Sequence, residues 1–171
     1  MSLKKRNLLR NRAAEKTIPC GMICGQGTGI VSGMKYGLCG MNFNGCECIA
    51  VYNALLFLNR PKPLSLVVLC MERYKMLFGI FGGNPFGIAK ALGRLGENAV
   101  RTDNFMQNGG YILSFWTKKP FLSSLHTVFI IKRDIGITVF NRYNNSSAPS
   151  DYVSVEDMLG KRRLIIAYRV G

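Results

Sequence analysis

The rhythm of apolar and polar positions changes about halfway along the chain. In the first half, Ile49, Val51, Ala54, Leu55 and Leu58 follow a helical stripe. Asn44 and Gly45 stand where a cap belongs, and Pro61 and Pro63 end the segment. A second helix is predicted over residues 65–75, with Ser65 as its cap. Asn84-Pro85 opens a third, combining a capping amide with proline at the first helical position, and Gly96 follows its last turn. "GIAKALGRLG" supplies its apolar face.

The second half is built of short runs rich in β-branched and aromatic residues, bounded by turns. Strands are predicted over 111–117, 126–132, 136–143 and 163–170, with shorter ones over 29–32 and 99–103. "KRDIG" joins the middle pair as a hairpin. A two-residue turn at Arg133-Asp134 sets His126 opposite Asn141. A three-residue turn with Gly136 as a left-handed bulge sets it opposite Asn144. Ser154 and Asp157 resemble a capping box ahead of a short helix. Helices first and an antiparallel sheet second predict an α+β domain.

Length and charge refine this picture. The 171 residues suit one domain, and a chain of this size buries about 68–70% of its unfolded surface without disulfide staples. There are 23 lysines and arginines against 9 acids, a formal net charge of +14. Lys4, Lys5, Arg6, Arg10, Arg12 and Lys16 crowd the start. Residues 1–17 are therefore predicted to be a flexible basic arm ahead of a single domain over 18–171. Such an arm attracts nucleic acid, an anionic membrane surface or an acidic partner.

The apolar runs over 49–58 and 64–71 are too short to span a bilayer. Residues 18–33 are too glycine-rich for a signal peptide. Both observations predict a cytoplasmic protein whose six cysteines stay reduced.

The candidate chemistry lies in "NGCECIAVYNALLFL". A nucleophilic cysteine needs a stabilised thiolate, and a helix N-terminus supplies unpaired N–H groups and a favourable dipole. Cys46 is predicted there. Cys48, about 160° away around the helix, belongs to the core. The base is the one histidine, His126, at a strand start; Asn141 or Asn144 would fix its tautomer. A hydrogen-bonded structural histidine is the competing reading of His126 taken alone.

This order of residues resembles the papain-like cysteine peptidases, and more closely their compact bacterial branch around the bacteriocin-leader (C39-like) peptidases. "CECIAVYNAL" is similar to that family's nucleophile helix at Cys46, Ala50 and Leu55. "HTVFIIKRDIGITVFN" resembles its histidine-strand, turn and asparagine-strand unit, and the 15-residue spacing favours Asn141. The resemblance covers the chain from about Tyr36 onward. It implies a papain-like fold, a peptide or protein substrate, a Cys-His-Asn triad working through a thioester, and no cofactor.

Two departures stand out. Glu47 replaces the family's usual glycine, and a carboxylate beside a thiol opposes its ionisation. Gly40 occupies the place of the oxyanion glutamine. Asn42 is the first substitute, with Asn44 as a second, and Gln26 as a third if the glycine-rich loop folds back. Three rivals follow from the same residues. They are a catalytically inactive peptide-binding relative, a basic nucleic-acid-binding protein, and a zinc site drawn from Cys20, Cys24, Cys39, Cys46 and Cys48.

Overall fold

The computed structural model describes residues 1–15, 21–117 and 124–171. In chain order, α1 (Leu3–Glu15), strands β1 (Lys35–Tyr36) and β2 (Cys39–Gly40), α2 (Met41–Asn44), α3 (Cys46–Phe57), α4 (Leu64–Met71) and α5 (Ile88–Arg94) form a mainly helical half. β3 (Ala99–Arg101), β4 (Gly109–Thr117), β5 (Ser124–Lys132), β6 (Ile137–Phe140), β7 (Ser150–Tyr152) and β8 (Leu164–Val170) follow, with α6 (Val155–Leu159) ahead of β8. These six strands form one antiparallel sheet in the order β3-β8-β4-β5-β6-β7. The architecture is α+β.

Every residue of α3 from Cys46 to Leu55 is buried, which makes it the central helix rather than a one-faced surface helix. It packs on β5, β4 and α4. Alternation along the strands then divides the core in two. Ile112, Phe129, Ile166 and Tyr168 pack with the helices. Tyr111, Leu113, Phe115, Val128, Ile130 and Val139 pack on the opposite face with Val155 and Met158 of α6. Each fully buried aliphatic or aromatic side chain contributes about 1.5–3 kcal/mol.

The structure corrects several sequence expectations. The first residues are a docked helix, not an arm. Asn7 donates to the Gly37 carbonyl at 2.7 Å and to Glu72 at 2.8 Å. Asn11 exchanges two hydrogen bonds with the main chain of Lys35, at 2.9 and 2.8 Å. Glu15 accepts from the N–H groups of Leu64 and Ser65 at the start of α4. Because α1 docks largely through amides, it shows no apolar stripe. Lys16 lies outside the described residues.

Residues 30–33 form a 3-10 turn rather than a strand. The helix after Pro63 stops at Met71, short of the predicted Lys75. The Asn84-Pro85 signal opens a 3-10 turn before α5, with Asn84 accepting from Phe86 N–H at 3.0 Å. The Ser154 cap forms as expected, accepting from Asp157 N–H at 3.1 Å.

Neither predicted hairpin register occurs. Lys132 pairs with Ile137, and Arg133 N–H donates to Gly136 O at 3.2 Å, so Asp134-Ile135 is the turn. Continued to His126, this register would face it with Tyr143. The ladder stops earlier, at Phe129–Phe140, because Asn141 takes a left-handed conformation at φ 61°.

Candidate active site

Cys46 opens α3, one residue after Gly45, which separates α2 from α3. Asn44 does not cap this helix; its amide donates to the carbonyls of Gly79 and Ile80 at 2.6 and 2.7 Å. The Cys46 thiol is buried and donates to Glu47 Oε2 at 3.3 Å. Burial pushes this thiol well above its ordinary pKa, and the Glu47 charge and hydrogen bond push it further. The main-chain N–H groups of Thr127 and Glu47 act the other way, favouring the thiolate. Thr127 is the residue after His126, so the thiol lies against the strand that carries the imidazole.

Glu47 is 2% exposed. Burial raises its carboxyl to about 7, while its own N–H, the Cys46 thiol and Gly83 N–H favour the ionised form. Gly82 and Gly83 pass over it so closely that a Cβ on Gly83 would lie 3.2 Å from the carboxyl carbon. Tyr36 and Cys48 complete this buried polar pocket. Burial pushes both their pKa values up, and Glu47 adds to each.

His126 is buried, with its ring edge-on to Phe115 at 5.9 Å between centroids. Nε2 lies 2.6 Å from the main-chain oxygen of Asn141. A carbonyl can only accept, so Nε2 carries the proton and Nδ1 keeps its lone pair. Burial lowers the imidazole to about 4; the Asn141 bond opposes this and the Arg142 charge adds to it. The ring is therefore neutral near pH 7.

The Asn141 side chain is engaged elsewhere. Its Oδ1 accepts from Gln26 N–H at 3.0 Å, and its Nδ2 donates to Gln26 Oε1 at 3.1 Å. Gln26 Nε2 donates to the carbonyls of Asn42 and Phe43 at 3.2 and 3.4 Å. The glycine-rich loop thus does fold back. Gly25 and Gly27 press on the main chain of Asn144, and Gly27 N–H donates to Asn144 O at 2.6 Å.

His126, Asn141 and Gln26 therefore gather where β6 leaves β5. The His126 ring packs on Phe115, on the sheet face opposite α3, whereas the Cys46 thiol meets β5 at Thr127, the neighbouring residue. Among the described residues, Cys46 and His126 share no hydrogen bond. Asn42 reaches this cluster through its carbonyl, and Asn144 by donating to that carbonyl at 3.4 Å. Sequence reasoning missed the Thr127 N–H, which no residue type signals, and the burial of Glu47. The absence of exposed-face polarity over residues 46–55 was the available sign of that burial.

Among the described residues, no group of three His, Cys, Asp or Glu side chains is placed to hold a metal ion. Cys20 lies outside them. Cys48 is fully buried within the helical core. No protein-family model, curated protein or solved structure matches the chain.

Proposed function

We propose that the chain is a papain-like cysteine-type acyl hydrolase acting on peptides or proteins. Cys46 is the nucleophile, His126 the base, and Asn141 the residue that holds the imidazole. One observation supports this reading: the thiol at the start of α3 lies against the N–H of Thr127, the residue next to His126 on β5, whose neutral imidazole carries its proton on Nε2 and keeps a lone pair on Nδ1.

The chemistry follows from those roles. The thiol leaves Glu47 and gives its proton to Nδ1, a transfer that requires the His126 ring to turn from Phe115 toward the α3 side of β5. The sulfur attacks the acyl carbon, and N–H donors at the start of α3 and at Thr127 stabilise the oxyanion. The amine leaves with the proton from the imidazolium. Water, deprotonated by the same imidazole, cleaves the thioester and restores the thiol. No cofactor enters these steps.

The contact between Cys46 and Glu47 favours a second reading, a peptide-binding relative that does not cleave. Alkylation separates the two. For a hydrolase, iodoacetamide modifies Cys46 near neutral pH faster in the wild type than in His126→Ala, and Cys46→Ala abolishes peptide turnover. Equal labelling rates, with peptide bound but not cleaved, would establish the binder instead.

A further inference from the structure

The loop over residues 77–81 presents large apolar side chains to solvent from a fixed backbone. Phe78 is 65% exposed and Phe81 67%, with Leu77 and Ile80 beside them. The loop is tied down: Leu38 N–H donates to Phe78 O at 3.0 Å, and Asn44 holds Gly79 and Ile80. Leu77 and Phe78 adopt φ of 43° and 57°, a region that bulky side chains avoid. Exposed Leu38 and Phe43 extend the patch through those same contacts. Strain that keeps apolar groups in water is an expense without structural return, and it points to a function outside the fold.

The half of the chain that carries this face is one-sided in charge. Residues 1–96 contain thirteen lysines and arginines and three acids, Glu15, Glu47 and Glu72. All three acids are committed within the fold: Glu15 to α4, Glu47 to Cys46 and Glu72 to Asn7. Arg73 is exposed at the base of the loop. Exposed Arg6 precedes Asn7, whose amide bonds Gly37 next to Leu38.

We propose that this face docks on an anionic lipid bilayer. Phe78 and Phe81 enter the boundary between headgroups and acyl chains, and Arg6, Arg73 and neighbouring cations meet the lipid phosphates. A second copy is a poor occupant, because two chains of net charge +14 repel one another. Nucleic acid would use the charge but has no use for Leu77 and Ile80. Among the described residues no helix is long and apolar enough to cross a membrane, so the contact is peripheral. Gly82 and Gly83 continue from this loop onto Glu47, which brings the Cys46 region close to the lipid surface.

Vesicle co-sedimentation of the full chain tests this, with phosphatidylcholine alone and mixed with phosphatidylglycerol. The wild type binds the mixed vesicles, binds the neutral ones far less, and is released by salt. Phe78→Ser/Phe81→Ser weakens binding by more than about tenfold, and Arg6→Glu/Arg73→Glu by about tenfold or more, with melting temperatures unchanged. Failure to bind mixed vesicles overturns the proposal, as does equal binding by the phenylalanine variant. Salt-sensitive oligonucleotide binding without vesicle binding would assign the surface to nucleic acid. A dimer in analytical ultracentrifugation that the phenylalanine variant abolishes would assign the face to a second copy.

Discussion

His126 donates its Nε2 proton to the main-chain oxygen of Asn141 at 2.6 Å, while the Asn141 side chain exchanges two hydrogen bonds with Gln26. Asn141 thus serves the histidine by where its backbone runs. Its side chain holds that backbone to the loop of residues 25–27. Asn141→Ala is expected to destabilise the fold by about 2–4 kcal/mol, because the buried donor and acceptor of Gln26 lose their partners. Alanine at φ 61° adds about 1 kcal/mol. Asn141→Gly loses the same bonds without that strain, so urea unfolding should rank it about 1 kcal/mol above the alanine variant. The Nε2–H tautomer, read from ring nitrogen shifts, is expected to survive in both. Conversion to the Nδ1–H tautomer would show that the side chain orients the ring after all.

Glu47 and His126 bias stability in opposite directions with pH. Glu47 titrates at about 7 in the folded protein against an ordinary 4.5. Between those values the unfolded chain is ionised and the folded one is not. Its contribution is complete below 4.5 and is lost as pH rises to 7, by about 3 kcal/mol at 1.36 kcal/mol per pH unit. His126 titrates at about 4 against 6.5, so its contribution is complete above 6.5 and is lost on falling to 4, again by about 3 kcal/mol. The two offset each other over the shared window. Glu47→Gln is expected to weaken steadily on acidification from pH 6.5 to 4, and His126→Gln to strengthen from pH 7 to 4.5. Urea unfolding across that range checks both signs. Identical profiles in the wild type and the two variants would refute the opposition.

Asn7 carries much of the attachment of α1. Asn7→Ala removes donors from the Gly37 carbonyl and from the Glu72 carboxylate, which is 4% exposed and keeps Lys75 and Gly37 N–H. A loss of about 2–4 kcal/mol is expected. Lys5→Ala, on the exposed side of the same helix, should stay within about 0.5 kcal/mol. Limited proteolysis supplies a second reading. The wild type should resist cleavage within residues 3–15, and Asn7→Ala should not.

What the sequence made legible follows the physics of each segment. Periodic apolar positions announced α3, β4, β5 and β8, and local capping chemistry announced the Asn84 and Ser154 turns. α1 escaped because its inward contacts are asparagines, which carry no hydrophobic period. The hairpin register escaped because two residues of turn can be drawn from several places in "KRDIG", and only the packing of Phe129 against Phe140 decides. At the candidate site, Cys46, His126 and Asn141 could be named from residue type and order. Their contacts could not, because one runs through a carbonyl and another through the N–H of Thr127. Glu47 shows the limit most clearly. A charged residue near the start of a helix suggests solvent, and only the passage of Gly82 and Gly83 overhead encloses it.

Gly37 links α1 to the exposed apolar loop, and its substitution separates two kinds of cost. At φ 58°, a Cβ on Gly37 would lie 2.1 Å from the Phe78 carbonyl oxygen. That oxygen accepts from Leu38 N–H, and the Gly37 carbonyl accepts from Asn7. Gly96, just after α5, offers a control, at φ 91° with nothing within 4 Å of a built Cβ. Gly96→Ala should therefore cost only the left-handed strain, about 1–2 kcal/mol. Gly37→Ala adds a collision with backbone that cannot rotate away, and should lose about 1 kcal/mol or more beyond the control. It should also speed hydrogen exchange at Leu38, whose N–H then loses its acceptor as Phe78 is displaced. Equal unfolding energies for the two variants, with Leu38 still protected, would show that residues 77–81 adjust freely and are not held by Gly37.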